Sequence, residues 1–266
     1  MKAVILLAGM GSRLAELTAA TPKSLLPIGD SNALGHMIGK LTRHGVHSMV
    51  IVCGHMQPTI EQYLSLTFPD VEITILRNPR YRTTNTAYSL LVAREQVGDE
   101  TFIKLDGDVV FDEQILAKLV AASEGQSYAC VDRTAIDAEV IKVRCADDGV
   151  ITSIGNQIPV ASAAGESIGI ERIDKASSAA LFSELHRMME EPSQHQAYYE
   201  VAYDSIIRAG EPFLALDITG LSWVEIDTSE DYELAKRLFG SRPKSTTPIS
   251  HPPVGVARYA ERRRPV

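Results

Sequence analysis

Apolar and polar positions along the chain alternate between short unbroken apolar runs and longer stretches with helical spacing. Lys2–Leu7 is a near-continuous apolar run, as expected of a strand buried on both faces. Ser48–Cys53 (Ser-Met-Val-Ile-Val-Cys) repeats that pattern, and Val71–Leu76, Thr101–Leu105 and Tyr128–Val131 read as further strands. Between them, Ala33–His44, Gln57–Ser65, Thr86–Val97 and Asp112–Ala122 read as helices, the last with Asp112 placed to cap it. Repeated βα units of this length predict a doubly wound, mostly parallel, Rossmann-like α/β sheet. Such sheets bind ligands beyond the carboxyl ends of their strands. The chemistry is therefore expected just after Leu7, Cys53, Leu76 and Leu105.

The texture changes from about Glu139. Val140–Arg144 and Val150–Ile154 flank Ala146-Asp147-Asp148-Gly149, a hairpin signal with Asp-Gly at its turn. Ile168–Ile173 adds a strand, Ala176–Glu190 and Tyr199–Ala209 read as helices, Phe213–Asp217 and Ser222–Ile226 as strands, and Glu230–Phe239 as a closing helix. This is the pattern of a small α+β extension packed on the first half. The expected organisation is one domain over 1–239, with a first half at 1–132 and a second at 133–239. Residues 240–266 hold five of the thirteen prolines and no periodicity, and read as a disordered or loosely docked tail.

Composition narrows the class. A net charge of −8 argues against bulk nucleic-acid binding. The charge is uneven, because the tail concentrates Arg242, Lys244, Arg258, Arg262, Arg263 and Arg264 against Glu261. No apolar run approaches the roughly 18 residues that span a bilayer. The apolar opening is too short for a secretory core and runs into a glycine turn with Arg13 just beyond, so a cytoplasmic protein is expected. Cys53, Cys130 and Cys145 are few, odd in number and scattered, which argues against a disulfide framework or a zinc site.

The strongest chemical feature is Leu7-Ala8-Gly9-Met10-Gly11-Ser12-Arg13-Leu14, followed by Thr21-Pro22-Lys23-Ser24-Leu25-Leu26-Pro27-Ile28. A buried strand enters a glycine turn whose backbone can approach a ligand and offer N–H groups to phosphate oxygens. Arg13 and Lys23 then supply cations suited to a triphosphate. Leu14 stands where a dinucleotide fingerprint needs its third glycine, and the Gly-Lys-Ser/Thr of a Walker A loop is absent. Alone, the turn is equally a tight βα connection. Second, Asp106 and Asp108 lie at i and i+2 at the end of a strand, a natural site for a hard cation or a solvated turn. Third, Asp227 ends a late strand before the last helix, either as a helix cap or as a functional carboxylate, with Glu225 a weaker candidate.

Leu-Ala-Gly-x-Gly-Ser-Arg-Leu with Pro-Lys-Ser-Leu-Leu-Pro-Ile resembles the signature of the sugar-nucleotide pyrophosphorylase and cytidylyltransferase superfamily, over roughly residues 1–239. The resemblance implies a GT-A-like nucleotidyltransferase in which Leu7, Ala8, Gly9, Gly11 and Ser12 cradle the nucleotide and Arg13 and Lys23 bind its phosphates. It implies Mg²⁺ on Asp108 and Asp227, with Asp106 in support, and makes Arg13, Lys23 and Asp108 the catalytic residues. Leu7 departs from the family's usual alanine, and its side chain is expected to face the core. Asn85-x-x-x-Ser89 looks like an element of the choline-phosphate and inositol-phosphate cytidylyltransferases that helps hold base, ribose and phosphates, although Asn85 also suits a simple cap. Val52-Cys53-Gly54-His55 matches the Gly-His or Gly-Tyr step after the family's second strand, which gives His55 a structural or base-lining role.

On the acceptor side, Lys142 is placed either to neutralise an acceptor phosphate or as an exposed strand lysine. A carboxylate among Glu139, Glu166, Glu200 and Asp204 would suit a cationic amine. The expected reaction transfers CMP from CTP to a small phosphorylated or phosphonate acceptor resembling phosphocholine, aminoethylphosphonate or inositol phosphate, and releases pyrophosphate. The competing readings are a hexose-1-phosphate nucleotidylyltransferase and a catalytically silent homologue. The silent reading predicts damage to the glycine turn, Lys23 or Asp108, and all three are intact. No nucleic-acid partner or membrane span is expected, and the sequence is compatible with a homodimer without selecting one.

Overall fold

The computed structural model describes residues 1–134 and 136–240, without the side chains of Ser12 and Ala15. The predicted tail, apart from Gly240, lies outside the described residues. Strand β1 (Lys2–Leu7) passes through a 3-10 turn into a short helix α1 (Ala15–Thr18). A second 3-10 turn (Lys23–Leu25) leads to a small hairpin, β2 (Pro27–Ile28) and β3 (Ser31–Asn32), and then to α2 (Ala33–Arg43). There follow β4 (Ser48–Cys53), α3 (Gln57–Thr67), β5 (Glu72–Arg77), α4 (Thr86–Val92), α5 (Arg94–Val97), β6 (Phe102–Asp106), β7 (Val109–Phe111), α6 (Glu113–Ala121) and β8 (Ser127–Asp132). The remainder comprises β9 (Lys142–Cys145), β10 (Ile151–Gly155), β11 (Gly165–Ile173), α7 (Lys175–Glu190), α8 (Tyr199–Arg208), β12 (Phe213–Asp217), β13 (Trp223–Glu225) and α9 (Ser229–Phe239).

The main sheet runs β10-β9-β11-β6-β1-β4-β5, with β8 and β12 joined through β11. Its centre is parallel: β1 pairs with β4 and β6, and β4 with β5. Strand β11 runs antiparallel to β6, so strands of both halves hydrogen-bond within one sheet. The alternation within β1 shows why its sequence is apolar throughout. Ala3, Ile5 and Leu7 pack on one face with α2, α3 and α6, while Val4 and Leu6 pack on the other with α4, α7 and α8. A strand covered on both faces has no solvent side to carry polar residues. Truncating fully buried Ile5 to alanine should cost about 2–5 kcal/mol.

Helix starts follow local capping chemistry. Asn32 accepts the Gly35 N–H ahead of α2, and Asp112 accepts the Gln114 N–H ahead of α6. Thr228 and Asp231 form a reciprocal capping box at α9. Two predictions needed revision. The single helix expected over Thr86–Val97 is broken at buried Ala93, whose N–H turns back to Leu90 O and tightens the turn. The strand expected from Ile168 begins at Gly165, because its added residues pair with both β8 and β9.

Candidate active site

The ends of β1, β4 and β6 open onto one cleft, lined by Leu7, Gly9, Gly11, Lys23, His55, Gly107 and Asp108, among others. Leu7 also belongs to the core, and a Cβ on Gly107 would run into the Leu7 side chain. The larger residue in β1 therefore requires glycine on the neighbouring strand's exit. Ala8 is buried, and its carbonyl lies 2.7 Å from where a Cβ on Gly54 would stand. A Cβ on Gly9 would meet nothing within 4 Å, so the space over the turn is open to a ligand. Gly11 has a φ of 61°, which side chains rarely adopt. The Ser12 side chain lies outside the described residues. Met56 shares the left-handed conformation at φ 55°, an uncommon state for a non-glycine residue, beside His55 at the cleft wall. His55 packs against Tyr81 at a ring separation of 6.3 Å.

The second half of the chain completes the cleft. Strand β13 pairs antiparallel with β7, aligning Glu225 with Val109, and the Ile226 N–H donates to Asp108 O at 3.0 Å. This brings carboxylate oxygens of Asp108, Glu225 and Asp227 within 4.8 Å of one another. Lys23 Nζ sits between two of them, 2.6 Å from Asp108 Oδ2 and 2.8 Å from Asp227 Oδ1. Arg13 reaches Asp227 Oδ2 at 2.6 Å, with most of its side chain in solvent.

Burial works against the Lys23 ammonium, but Asp108 and Asp227 outweigh it and hold its pKa above the ordinary lysine value. Glu225 moves the other way. Although Glu225 is exposed, partial desolvation, joined by repulsion from Asp108, Asp227 and Asp106, pushes it up to about 8. Three crowded oxygen donors whose mutual repulsion a cation would relieve are the donor chemistry of a hard divalent ion. Glu225 is thus a full member of a cluster in which the sequence ranked it behind Asp108 and Asp227.

The structure places the other expected site residues outside the Asp108–Glu225–Asp227 set. Asp106 stands outside the Asp108–Glu225–Asp227 set and accepts instead from Lys104 Nζ at 3.2 Å and from the Tyr199 hydroxyl. Asn85 caps α4 by accepting the Thr86 N–H. The inward-facing Ser89 hydroxyl accepts from Asn78 Nδ2 at 3.0 Å and is buried. Both side chains therefore stand off the cleft lining, because the start of α4 uses their polar atoms. Lys142 is likewise buried, with Nζ donating to Ala138 O at 2.7 Å and Val140 O at 2.9 Å. A buried ammonium needs acceptors, and the adjacent turn supplies them, so it is not aimed at an acceptor phosphate. Glu139 is exposed. Glu166 is half-buried, and burial together with Asp137 and Asp132 raises it to about 7. Glu200 is buried at the start of α8, apart from the cleft's cation-and-carboxylate cluster.

One cluster escaped the sequence reading. Lys104, fully buried in β6, bonds Gly169 O at 3.1 Å, pairs with Glu171 at 2.8 Å and lies 3.6 Å from the Tyr199 ring centroid. Burial, opposed by Lys104 and reinforced by Asp106, raises Glu171 to about 7. The available signal was the pair of charges in an otherwise apolar strand, Phe-Ile-Lys-Leu-Asp.

The chain is 30% identical over 241 residues to the CMP-5'-(3-aminopropyl)phosphonate synthase of Streptomyces rubellomurinus, covering 88% of this chain and 38% of that one. The match spans about half or less of the length of the curated relatives. The solved CTP:phosphocholine cytidylyltransferase of Streptococcus pneumoniae superposes with a TM-score of 0.76 at 21% identity, covering 89% of this chain and 98% of that one. A UDP-glucose pyrophosphorylase solved with UDP-glucose superposes at a TM-score of 0.74 and 15% identity, covering 90% and 97%. At such identities the superpositions establish the doubly wound fold. The sequence itself matches the MobA-like NTP transferase domain over residues 3–201, and the chain belongs to that family.

Proposed function

We propose that the protein transfers CMP from CTP to a small phosphate- or phosphonate-bearing acceptor and releases pyrophosphate. The observation that carries this reading is the convergence of an open glycine turn, Lys23 and the Asp108–Glu225–Asp227 carboxylates on one cleft. We read 1–239 as the catalytic unit, with nucleotide contacts from its first half and acceptor contacts from its second, in a cytoplasmic enzyme. Among the described residues no helix is long and apolar enough to cross a membrane.

An acceptor phosphate or phosphonate oxygen is already anionic. It attacks the α-phosphorus while the bond from that phosphorus to the bridging oxygen breaks, and the electron pair leaves with pyrophosphate. No general base is needed, so catalysis consists of alignment and charge stabilisation. Lys23 and Arg13 offset the repulsion between anionic reactants, and the Gly9–Gly11 backbone fixes the triphosphate. Asp108, Asp227 and Glu225 would hold Mg²⁺, which when bound supplies positive charge to the α-phosphate and the leaving group. Lys23, which bonds Asp108 and Asp227 in the structure, stands where its ammonium would meet a phosphate held beside those carboxylates.

The test is a pyrophosphate-release screen of CTP, UTP, GTP and dTTP against aminoethylphosphonate, phosphocholine, inositol phosphate and glucose-1-phosphate. CTP with an amino- or choline-bearing acceptor should be fastest. The likeness to the UDP-glucose pyrophosphorylase fold supplies the second reading, an NDP-sugar synthase. Fastest release with UTP and glucose-1-phosphate would select it.

A further inference from the structure

The connection between α7 and α8 reaches across to the first half of the chain. It makes a 3-10 turn at Pro192–Gln194 and then lies against the start of α4. A helix start leaves its first N–H groups without partners inside the helix. Here the Asn85 N–H donates to His195 O at 3.2 Å and the Ala87 N–H to Ala197 O at 3.4 Å. The Tyr199 N–H returns a bond to Thr86 Oγ1 at 3.1 Å.

One side chain adds a contact of a different kind. His195 is half-buried and bonded at both ring nitrogens. Arg80 Nη2 lies 2.9 Å from its Nδ1, and Met189 O lies 3.0 Å from its Nε2. A guanidinium can only donate, and a carbonyl can only accept. Nδ1 is therefore the acceptor and Nε2 carries the proton, which selects one neutral tautomer. The ring ties the last turn of α7 to a cation of the β5–α4 loop.

That loop is built around Arg80. Its guanidinium lies over the Tyr88 ring, 4.9 Å from the centroid. Its N–H donates to Asn78 Oδ1 at 2.8 Å, and its carbonyl accepts from the Thr83 N–H, the Thr84 N–H and the Thr84 hydroxyl. Asn78 is anchored in turn, with its own N–H on Cys53 O at 2.8 Å. The next residue, Tyr81, reaches the cleft wall. Its Cβ and Cγ lie 2.7 and 2.8 Å from where a Cβ on Gly54 would stand. Its ring packs on His55, which lines the cleft. A continuous line of contacts thus runs from His195 through Arg80 and Tyr81 to His55.

We infer that His195 is a positioning residue for nucleotide binding: by holding the Arg80 guanidinium from the second half of the chain, it sets the Tyr81–His55 wall of the cleft in the first. The inference rests on the transfer reading for the identity of the cleft's occupant. A bond between a guanidinium and a neutral acceptor is charge-assisted and directional. Losing it lets Arg80 turn to solvent and the loop that carries Tyr81 relax. A wall contact made equally in the bound and reacting states moves KM and leaves kcat alone.

The experiment combines NMR of the full chain, labelled at histidine and free of nucleotide, with pyrophosphate-release kinetics. At about pH 8, wild type should show His195 with its proton on Nε2. His195→Phe should move the His55 ring signals and raise the KM for nucleotide about 10-fold, with kcat within about twofold. His195→Gln, whose amide can accept from Arg80 and donate to Met189 O, should return both readouts toward wild type. Arg80→Met should match His195→Phe, and the double variant should be no worse than either alone. Arg80→Met also serves if His195→Phe does not fold. Unmoved His55 signals, an unchanged KM or a fall in kcat alone in folded His195→Phe overturns the inference. So do additive effects in the double variant, or no rescue by a folded His195→Gln. A His55 shift that glutamine reverses, with no pyrophosphate release from any NTP, would sink the transfer reading and leave the positioning of the wall standing. Transfer with wild-type KM in every variant would do the reverse.

Discussion

Two lysines flank the end of β6 and are held by carboxylates in opposite ways. Lys23 bridges Asp108 and Asp227 in an open cleft, where its partners keep a quarter to a third of their side-chain surface in solvent. Lys104 is sealed among Asp106, Glu171 and the Tyr199 ring, with no surface left to itself or Glu171. The first arrangement faces solvent through its carboxylates and can be exchanged by a ligand that brings its own charges to the same groups. The second cannot be dismantled without stranding buried charge. Similar residue types thus form an exchangeable site on one side of the strand and a fixed support on the other.

The largest effect should come from removing the support. Lys104→Met should destabilise the fold by about 3–5 kcal/mol in urea denaturation, since Asp106, Glu171 and Glu200 lose their shared cation. A loss under about 1 kcal/mol would erase the contrast between the two lysines. Lys23→Ala and Asp108→Ala should instead lower pyrophosphate release by about 10²–10³-fold while circular dichroism and melting stay close to wild type.

pH sharpens the same contrast. Glu171 and Glu200 carry folded pKa values of about 7 and about 8, above the ordinary 4.5. Their contribution to stability is therefore complete below the unfolded pKa and is lost as pH rises through the folded values. The melting temperature of metal-free protein should fall between about pH 5 and pH 8, and Glu200→Gln should flatten part of that slope. The smallest effect on stability belongs to Arg13→Ala. Its side chain is 73% exposed, so the change should cost less than about 1 kcal/mol in urea while raising the KM for nucleotide.

The sequence revealed what local pattern encodes. The bounds of β1 and β4 coincide with their apolar runs, because strands covered on both faces leave an unmistakable signature. The glycine turn, Lys23, Asp108 and Asp227 were all visible as motifs. The short β7 was not, since three residues carry no periodicity, and its partner β13 lies more than a hundred positions away. That pairing is what makes Glu225 a neighbour of Asp108, so the third carboxylate was ranked below its place. Ser89 and Lys142 show the complementary failure. Their residue types suited ligand contacts, but side-chain direction is decided by packing, and both turn onto the protein's own polar atoms.

The most direct test of the cleft assignment is electron paramagnetic resonance of Mn²⁺, substituting for Mg²⁺, titrated into the protein with CTP present. Wild type should bind a stoichiometric ion, and Asp108→Asn and Asp227→Asn should each weaken that binding by tenfold or more while remaining folded. Unchanged Mn²⁺ affinity in both folded variants would contradict the account.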